Sequence, residues 1–204
     1  MSPSLNQDHE LLLTQTVAPT EEPVTLAEAK AHCRIDHIDD DTLIAGLITA
    51  ATSHLDYENG ILGQALVTQT WSYSLPGPDA LERVHLPVTP VVALTSMSYY
   101  DTDNASQSIT TANYHILKGK WTARIIPNDG TSWPTMFARA DALTVIFTAG
   151  FGAATAVPQS VKQAMLLLIA HWYENRESSI VGTSIDTVPM AFDALIAPIR
   201  RVFM

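Results

Sequence analysis

Residues 157–179 read VPQSVKQAMLLLIAHWYENRESS, and this stretch decides the fold. Pro158 suits the first turn of a helix, where its missing N–H has no intrahelical partner to lose. Ser160 and Lys162 are polar. From Ala164 to Tyr173 the run is apolar with one interruption, His171, and the polar residues Glu174 to Ser178 close it. A surface helix shows a single apolar stripe, whereas this one is apolar nearly all round, which predicts burial on several sides. The apolar run is about half of the ~20 residues needed to span a bilayer, so it reads as a core helix around which the rest of the chain packs. Leu166, Ile169, His171, Trp172, Tyr173 and Arg176 are the residues expected in its core or in a contact between subunits.

Working outward, Pro189 leads into a last helix expected over about 190–202, carrying Phe192, Leu195, Ile196 and Ile199, with a kink at Pro198. Upstream, Thr25 with Glu28 three residues on is a capping box opening a first helix that runs to about Ile35. Cys33 on that helix reads as a small apolar core residue, since no activating cation is identifiable. A second helix is expected at about 40–58 from the helical spacing of Leu43, Ile44, Leu47, Ile48, Ala51 and Leu55. The triplet Asp39, Asp40 and Asp41 sits where the helix dipole favours negative charge. It lacks the alternating ligands and glycine turn of a calcium loop.

Between the helix pairs the period changes. Val67–Leu75, Arg83–Leu86, Val91–Tyr100, Tyr114–Leu117, Ala123–Ile126 and Leu143–Thr148 are rich in β-branched and aromatic residues and are separated by turn signals. They predict short antiparallel strands, in a small sheet or open barrel. Trp71, Trp121 and Trp133 read as packing residues of that sheet. The expected fold is α+β: two N-terminal and two C-terminal helices, with residues 65–150 as an inserted β-sheet. Residues 23–204 make one domain, and 1–22 read as a loosely ordered arm, with a short strand near Leu11–Leu13 as the alternative.

Composition narrows the function. Of 204 residues, 47% are hydrophobic and 16% charged, with 11 basic against 21 acidic residues and a formal charge of −10. A protein that grips phosphates needs Lys and Arg clusters, and none is present. One cysteine excludes an internal disulfide and fits a reducing compartment. Neither a signal peptide nor a membrane anchor is read.

Candidate chemistry is sparse. His171 and Glu174 stand three apart on the central helix, and His54 and Glu58 four apart on the second, so each pair shares a helical face. Were the two faces to meet, four metal ligands would converge, and a metal-dependent hydrolase is the rival reading from another class. The paired Glu-x-x-His and His-Glu-x-x-His motifs of such sites are absent. Also absent are a Gly-rich phosphate loop and a Gly-x-Ser-x-Gly elbow. No catalytic residue, metal or cofactor is expected.

Several phrases taken in order carry a resemblance. They are Pro23-Val24-Thr25-Leu26 with Glu28-Ala29-Lys30, Asp39–Asp41, Gln69-Thr70-Trp71, Leu86-Pro87 with Pro90-Val91, and Ala149–Gly152. Val157-Pro158 then leads to Ala164 and to His171–Glu177. The chain from 22 to 204 resembles the head–tail connector (adaptor) family of long-tailed bacteriophages and gene transfer agents, in the longer form with a β insertion. The resemblance implies a structural, non-enzymatic protein of the virion neck, assembling in the host cytoplasm. It implies a ring, usually of twelve subunits, beneath the portal protein, extending the DNA channel and offering a platform to a neck or tail completion protein. The genome would pass without sequence-specific binding, and no membrane is involved. An acidic conduit wall fits this independently, because it repels the DNA backbone. A neck-closure or tail-end protein of the same particle is the rival within the class. By the same resemblance Pro198, Arg200, Arg201, Phe203 and Met204 are the residues expected to engage the portal.

Overall fold

The computed structural model describes residues 12–57, 60–78, 83–119, 121–175 and 190–201. They form an α+β fold of two compact units. Residues 20–67 and those from 151 onward make the first; 68–150 with the N-terminal segment up to Pro19 make the second.

The helical unit contains α1 (Leu26–Cys33), α2 (Asp41–Leu55), α3 (Gln159–Glu174) and α4 (Met190–Ile196). The capping box is present: Thr25 Oγ1 accepts from the Glu28 N–H at 3.2 Å, and Glu28 Oε2 accepts from the Thr25 N–H at 2.7 Å. Two bonds thus satisfy donors that the first helical turn leaves open. α1 ends two residues earlier than expected because Arg34 turns left-handed (φ 58°) and its N–H closes back on Lys30 and Ala31. The acidic triplet does lead into α2, but the Asp40 side chain makes no capping bond. It accepts instead from the Tyr173 hydroxyl at 2.5 Å, while Asp41 pairs with Lys30 at 2.5 Å. These two contacts fasten the start of α2 to the end of α3 and to α1.

α1, α2 and α4 all pack on α3, so the central helix organises its own unit, while the strands build a separate core. Burial on several sides of α3, expected from its composition, is narrowed to one face. Val161, Ala164, Met165, Leu168 and Ile169 are buried, at the i, i+3, i+4, i+7 spacing of one face. On the opposite face Gln163, Leu166, Leu167 and Ala170 stay partly exposed. Lys162 is buried within the helical unit, its ammonium 3.8 Å from the Glu28 carboxylate. The last helix stops at Ile196 rather than continuing through a kink to 202, since Pro198 follows and disfavours helical geometry at Ala197. The connector after α2 is a seam with no counterpart in the sequence reading: Leu62 to Val67 are all buried. Leu66 bonds to the helical unit through both of its main-chain groups. The Leu66 N–H donates to Asp56 Oδ1 and the Leu66 carbonyl accepts from Phe151, each at 2.8 Å.

The β unit holds a five-stranded sheet ordered β1-β2-β8-β4-β5 and a three-stranded sheet ordered β3-β7-β6, antiparallel throughout. The strands are β1 (Leu13–Val17), β2 (Gln69–Leu75), β3 (Val84–Leu86), β4 (Val91–Tyr100), β5 (Ser106–Ile109), β6 (Tyr114–Lys118), β7 (Ala123–Pro127) and β8 (Leu143–Ala149). The six expected strands are all present. β5 adds to them, and so does β1, where residues 13–17 pair with β2 and are no loose arm. Alternation is strict in the two central strands. Trp71, Tyr73 and Leu75 of β2 and Leu143, Val145 and Phe147 of β8 are buried, and the residues between them are partly exposed. Trp133 stacks on Tyr114 with ring centroids 4.5 Å apart.

Candidate interaction surface

The residues singled out on α3 divide by face. Ile169 is fully buried, while Leu166, Trp172 and Tyr173 pack against the core from its margin. His171 is partly exposed and lies beside Asn175, whose side-chain amide donates to the His171 carbonyl at 2.9 Å. His54 is exposed and meets the edge of the Trp172 ring (6.2 Å, 76°) and, tilted, the Phe192 ring (6.3 Å, 37°). The partners of His54 at this end of α2 are therefore aromatic. Among the described residues no group of three or more His, Cys, Asp or Glu side chains is placed to hold a metal ion. Glu58, the fourth residue of the metal reading, and Arg176 lie outside the described residues. Cys33 is partly buried; burial pushes its thiol pKa up, and the negative charge of Glu174 pushes in the same direction. That favours the inert thiol over the thiolate, in line with a packing role.

The C-terminal segment is less uniform than its sequence. Phe192 and Ile196 are buried and Ile199 packs on the same core. Pro198 and Arg200 are exposed. Arg201 is partly buried, and its N–H donates to the Leu62 carbonyl at 2.8 Å. Burial lowers its guanidinium pKa, with Tyr57 opposing that shift. Arg201 thus anchors the segment to the seam after α2, and Arg200 is the arginine turned to solvent. Phe203 and Met204 lie outside the described residues.

Two surface features escaped the sequence reading. Ile38 is 76% exposed in the α1–α2 connection, and Leu43 is 38% exposed. Beyond them the outer face of α2 (Ala45, Gly46, Thr49, Ala50, Ser53) is exposed and has no charged side chain of its own, although the Glu22 carboxylate accepts from the Thr49 hydroxyl at 3.0 Å; a Cβ built on Gly46 meets nothing within 4 Å. The readable signal was the uncharged run from Thr42 to Ser53 in an acidic chain. Ile38 was hidden by its polar neighbours. Among the described residues no helix is long and apolar enough to cross a membrane.

No curated protein matches the chain. Among solved structures, a protein from the neck of an empty gene transfer agent particle computed with C6 symmetry is 24% identical, with a TM-score of 0.74. The match covers 94% of this chain and 96% of that one. A chain of a native gene transfer agent virion matches at 24% identity and TM-score 0.74, over 95% and 97%. A neck chain from a native particle computed with C12 symmetry matches at 22% and 0.67, over 94% and 96%. At these identities the likeness is one of fold. The sequence itself matches the family described as phage gp6-like head–tail connector protein over residues 23–117 and 142–200, on both sides of a gap inside the β unit. The chain belongs to the phage gp6-like head–tail connector family, structural proteins that join head to tail.

Proposed function

We propose that this connector works as a closed ring of twelve copies beneath the portal at the capsid vertex, without catalysis. The ring prolongs the DNA channel and carries the next neck or tail completion protein. The observation that carries the reading is the near-full-length match to neck proteins, one of them from a particle computed with C12 symmetry. Two features of the chain support it. Twenty-one acidic against eleven basic residues suit a wall past which DNA slides. The partly exposed apolar side of α3 offers contact surface without like-charge repulsion.

Portal engagement falls to the C-terminal end, with Pro198, Arg200, Phe203 and Met204 contacting the portal and Arg201 holding the segment in place. Assembly takes place in the host cytoplasm, and the finished ring resides in the virion neck. The test is native mass spectrometry of the chain mixed with the portal of the same particle. A ring-sized assembly is expected; a strictly one-to-one heterodimer overturns the reading. Deleting 202–204 and replacing Arg200 by Ala should abolish co-sedimentation with the portal at unchanged melting temperature. Full co-sedimentation would remove the C-terminal end from the contact.

A further inference from the structure

Both outer strands of the five-stranded sheet lack the charges and prolines that guard an edge. β1 reads LTQTV and β5 reads SQSI, with no charged residue and no proline in either. Exposed sheet edges normally carry such residues, because a bare edge recruits foreign strands. The three-stranded sheet follows that rule: β6 ends on Lys118, and β3 is three residues long between Arg83 and Pro87.

The hydrogen-bond parity shows what the bare edges offer. The Ser74 N–H donates to the Leu12 carbonyl, so Leu12 and Thr14 bond inward to β2, and the main-chain groups of Leu13 and Gln15 point outward. At the other edge the Tyr100 N–H donates to Ala142 beside β8. Tyr99 therefore bonds Gln107, and the groups of Ser106 and Ser108 point outward. Among the described residues neither edge has a backbone partner on its outer side. The long polar side chains are already engaged. Gln15 donates to Gln69, and Gln107 donates to Asp101 Oδ2 at 2.8 Å. Backbone is what remains to be shared.

The occupant follows from direction. The sheet has five strands, each antiparallel to its neighbour, so its two edge strands run the same way. Rotating a copy about an axis parallel to the strands brings its β1 alongside the first copy's β5, running parallel. The same step can be repeated, since each copy presents both edges; this is the head-to-tail contact that closes rings. A foreign strand would account for one bare edge only. Charge permits the contact, since neither strand carries a charged residue of its own and the one carboxylate beside β5, Asp101, is held by Gln107 and by the main chain of the β4–β5 turn. The bulge between Gln15 and Val17 confines the contact to the first part of β1.

Resting on the ring reading above, we propose that neighbouring copies join by strand addition, Leu13–Gln15 of one beside Ser106–Ile109 of the next. The test begins with Ser108→Pro, which removes an outward N–H and leaves the β4 ladder intact. The variant should melt as the wild type does and yield no ring on the portal by native mass spectrometry. A second arm uses Cys33→Ser chains carrying Thr14→Cys or Gln15→Cys together with Gln107→Cys or Ser108→Cys. Oxidation of assembled rings should give a ladder of covalent multimers in at least one pair, because neighbouring strands lie about 4.7–4.9 Å apart, within disulfide reach. Rings of Ser108→Pro at wild-type yield, or rings in which no pair cross-links, overturn the inference and leave the ring reading standing. A wild-type chain that forms no ring overturns the ring reading itself.

Discussion

Replacing Leu168 by Ala and, separately, Leu167 by Ala tests the one-sided burial of α3 with two adjacent, chemically identical residues. Leu168 is 1% exposed within the helical core, whereas Leu167 sits on the partly exposed face. Truncation to Ala removes three carbons, about 2.4 kcal/mol of transfer free energy at ~0.8 kcal/mol per methylene when burial is complete. At Leu168 the neighbours on α3 and the three helices around it hold the space open. An unrelaxed cavity of roughly 50 Å³ adds about 1.2 kcal/mol at ~24 cal/mol per Å³. Leu168→Ala should therefore cost about 3–4 kcal/mol. Leu167→Ala loses only part of the transfer term and leaves a dent open to water, so about 1–1.5 kcal/mol is expected. The assay is urea unfolding followed by helical circular dichroism, at a concentration low enough to keep the chain monomeric, with the m-value checked for constancy. Equal losses at the two positions would refute the one-sided burial of α3. If Leu167 also lies between subunits, its variant should lower ring yield more than its stability loss accounts for.

Four further outcomes follow from the contacts and the charge. Thr25→Ala should destabilise the chain by about 1 kcal/mol in the same unfolding assay, as loss of an N-cap typically does. The backbone and hydroxyl bonds of Thr25 hold the Glu28 carboxyl below its ordinary pKa. That stabilising term is full above the ordinary carboxylate range and fades as pH falls through the lowered value; solvent exposure keeps it well under ~1 kcal/mol, and Glu28→Gln should flatten it in acid unfolding curves. Arg139 holds Asp141 through paired hydrogen bonds at 2.5 and 2.7 Å and lies 3.7 Å over the Tyr100 ring. Its bonds keep the Asp141 carboxyl below the usual range, so Arg139→Ala should raise that pKa in an NMR titration, and an unmoved titration would contradict the pairing. Fluorescence anisotropy should detect no binding to labelled duplex DNA at physiological salt in the roughly 10⁻⁴–10⁻⁶ M range of nonspecific binders; salt-sensitive micromolar binding would mean an unrecognised basic surface.

What the sequence revealed depended on whether a residue's partner was near in the chain. Thr25 and Glu28 are three residues apart, and their capping box was legible because both halves lie within one turn. β4 matched its expected span, Val91–Tyr100, because β-branched and aromatic residues mark it locally. β5 carried no such mark, and in β1 the β-branched Thr14, Thr16 and Val17 stand within a polar, irregular stretch. Ser106–Ile109 has no apolar alternation, and Leu13–Val17 is a strand because β2 lies alongside it, 53 residues and more away in sequence. β1 and β5 bury no residue in full, so the period-two signal that a buried face produces is missing there. The edge strands β3 and β6 were legible because Val84, Leu86 and Tyr114 are buried. The same logic applies to α3. Its apolar composition read as burial on several sides, but one face meets α1, α2 and α4 while the other stays partly open in the single chain. Composition records every surface a residue covers in the working assembly, including surfaces between copies, whereas a single chain shows only the internal ones. The excess of Leu166, Leu167 and Ala170 over what the single chain buries is the residue-level reason to look for a neighbouring copy.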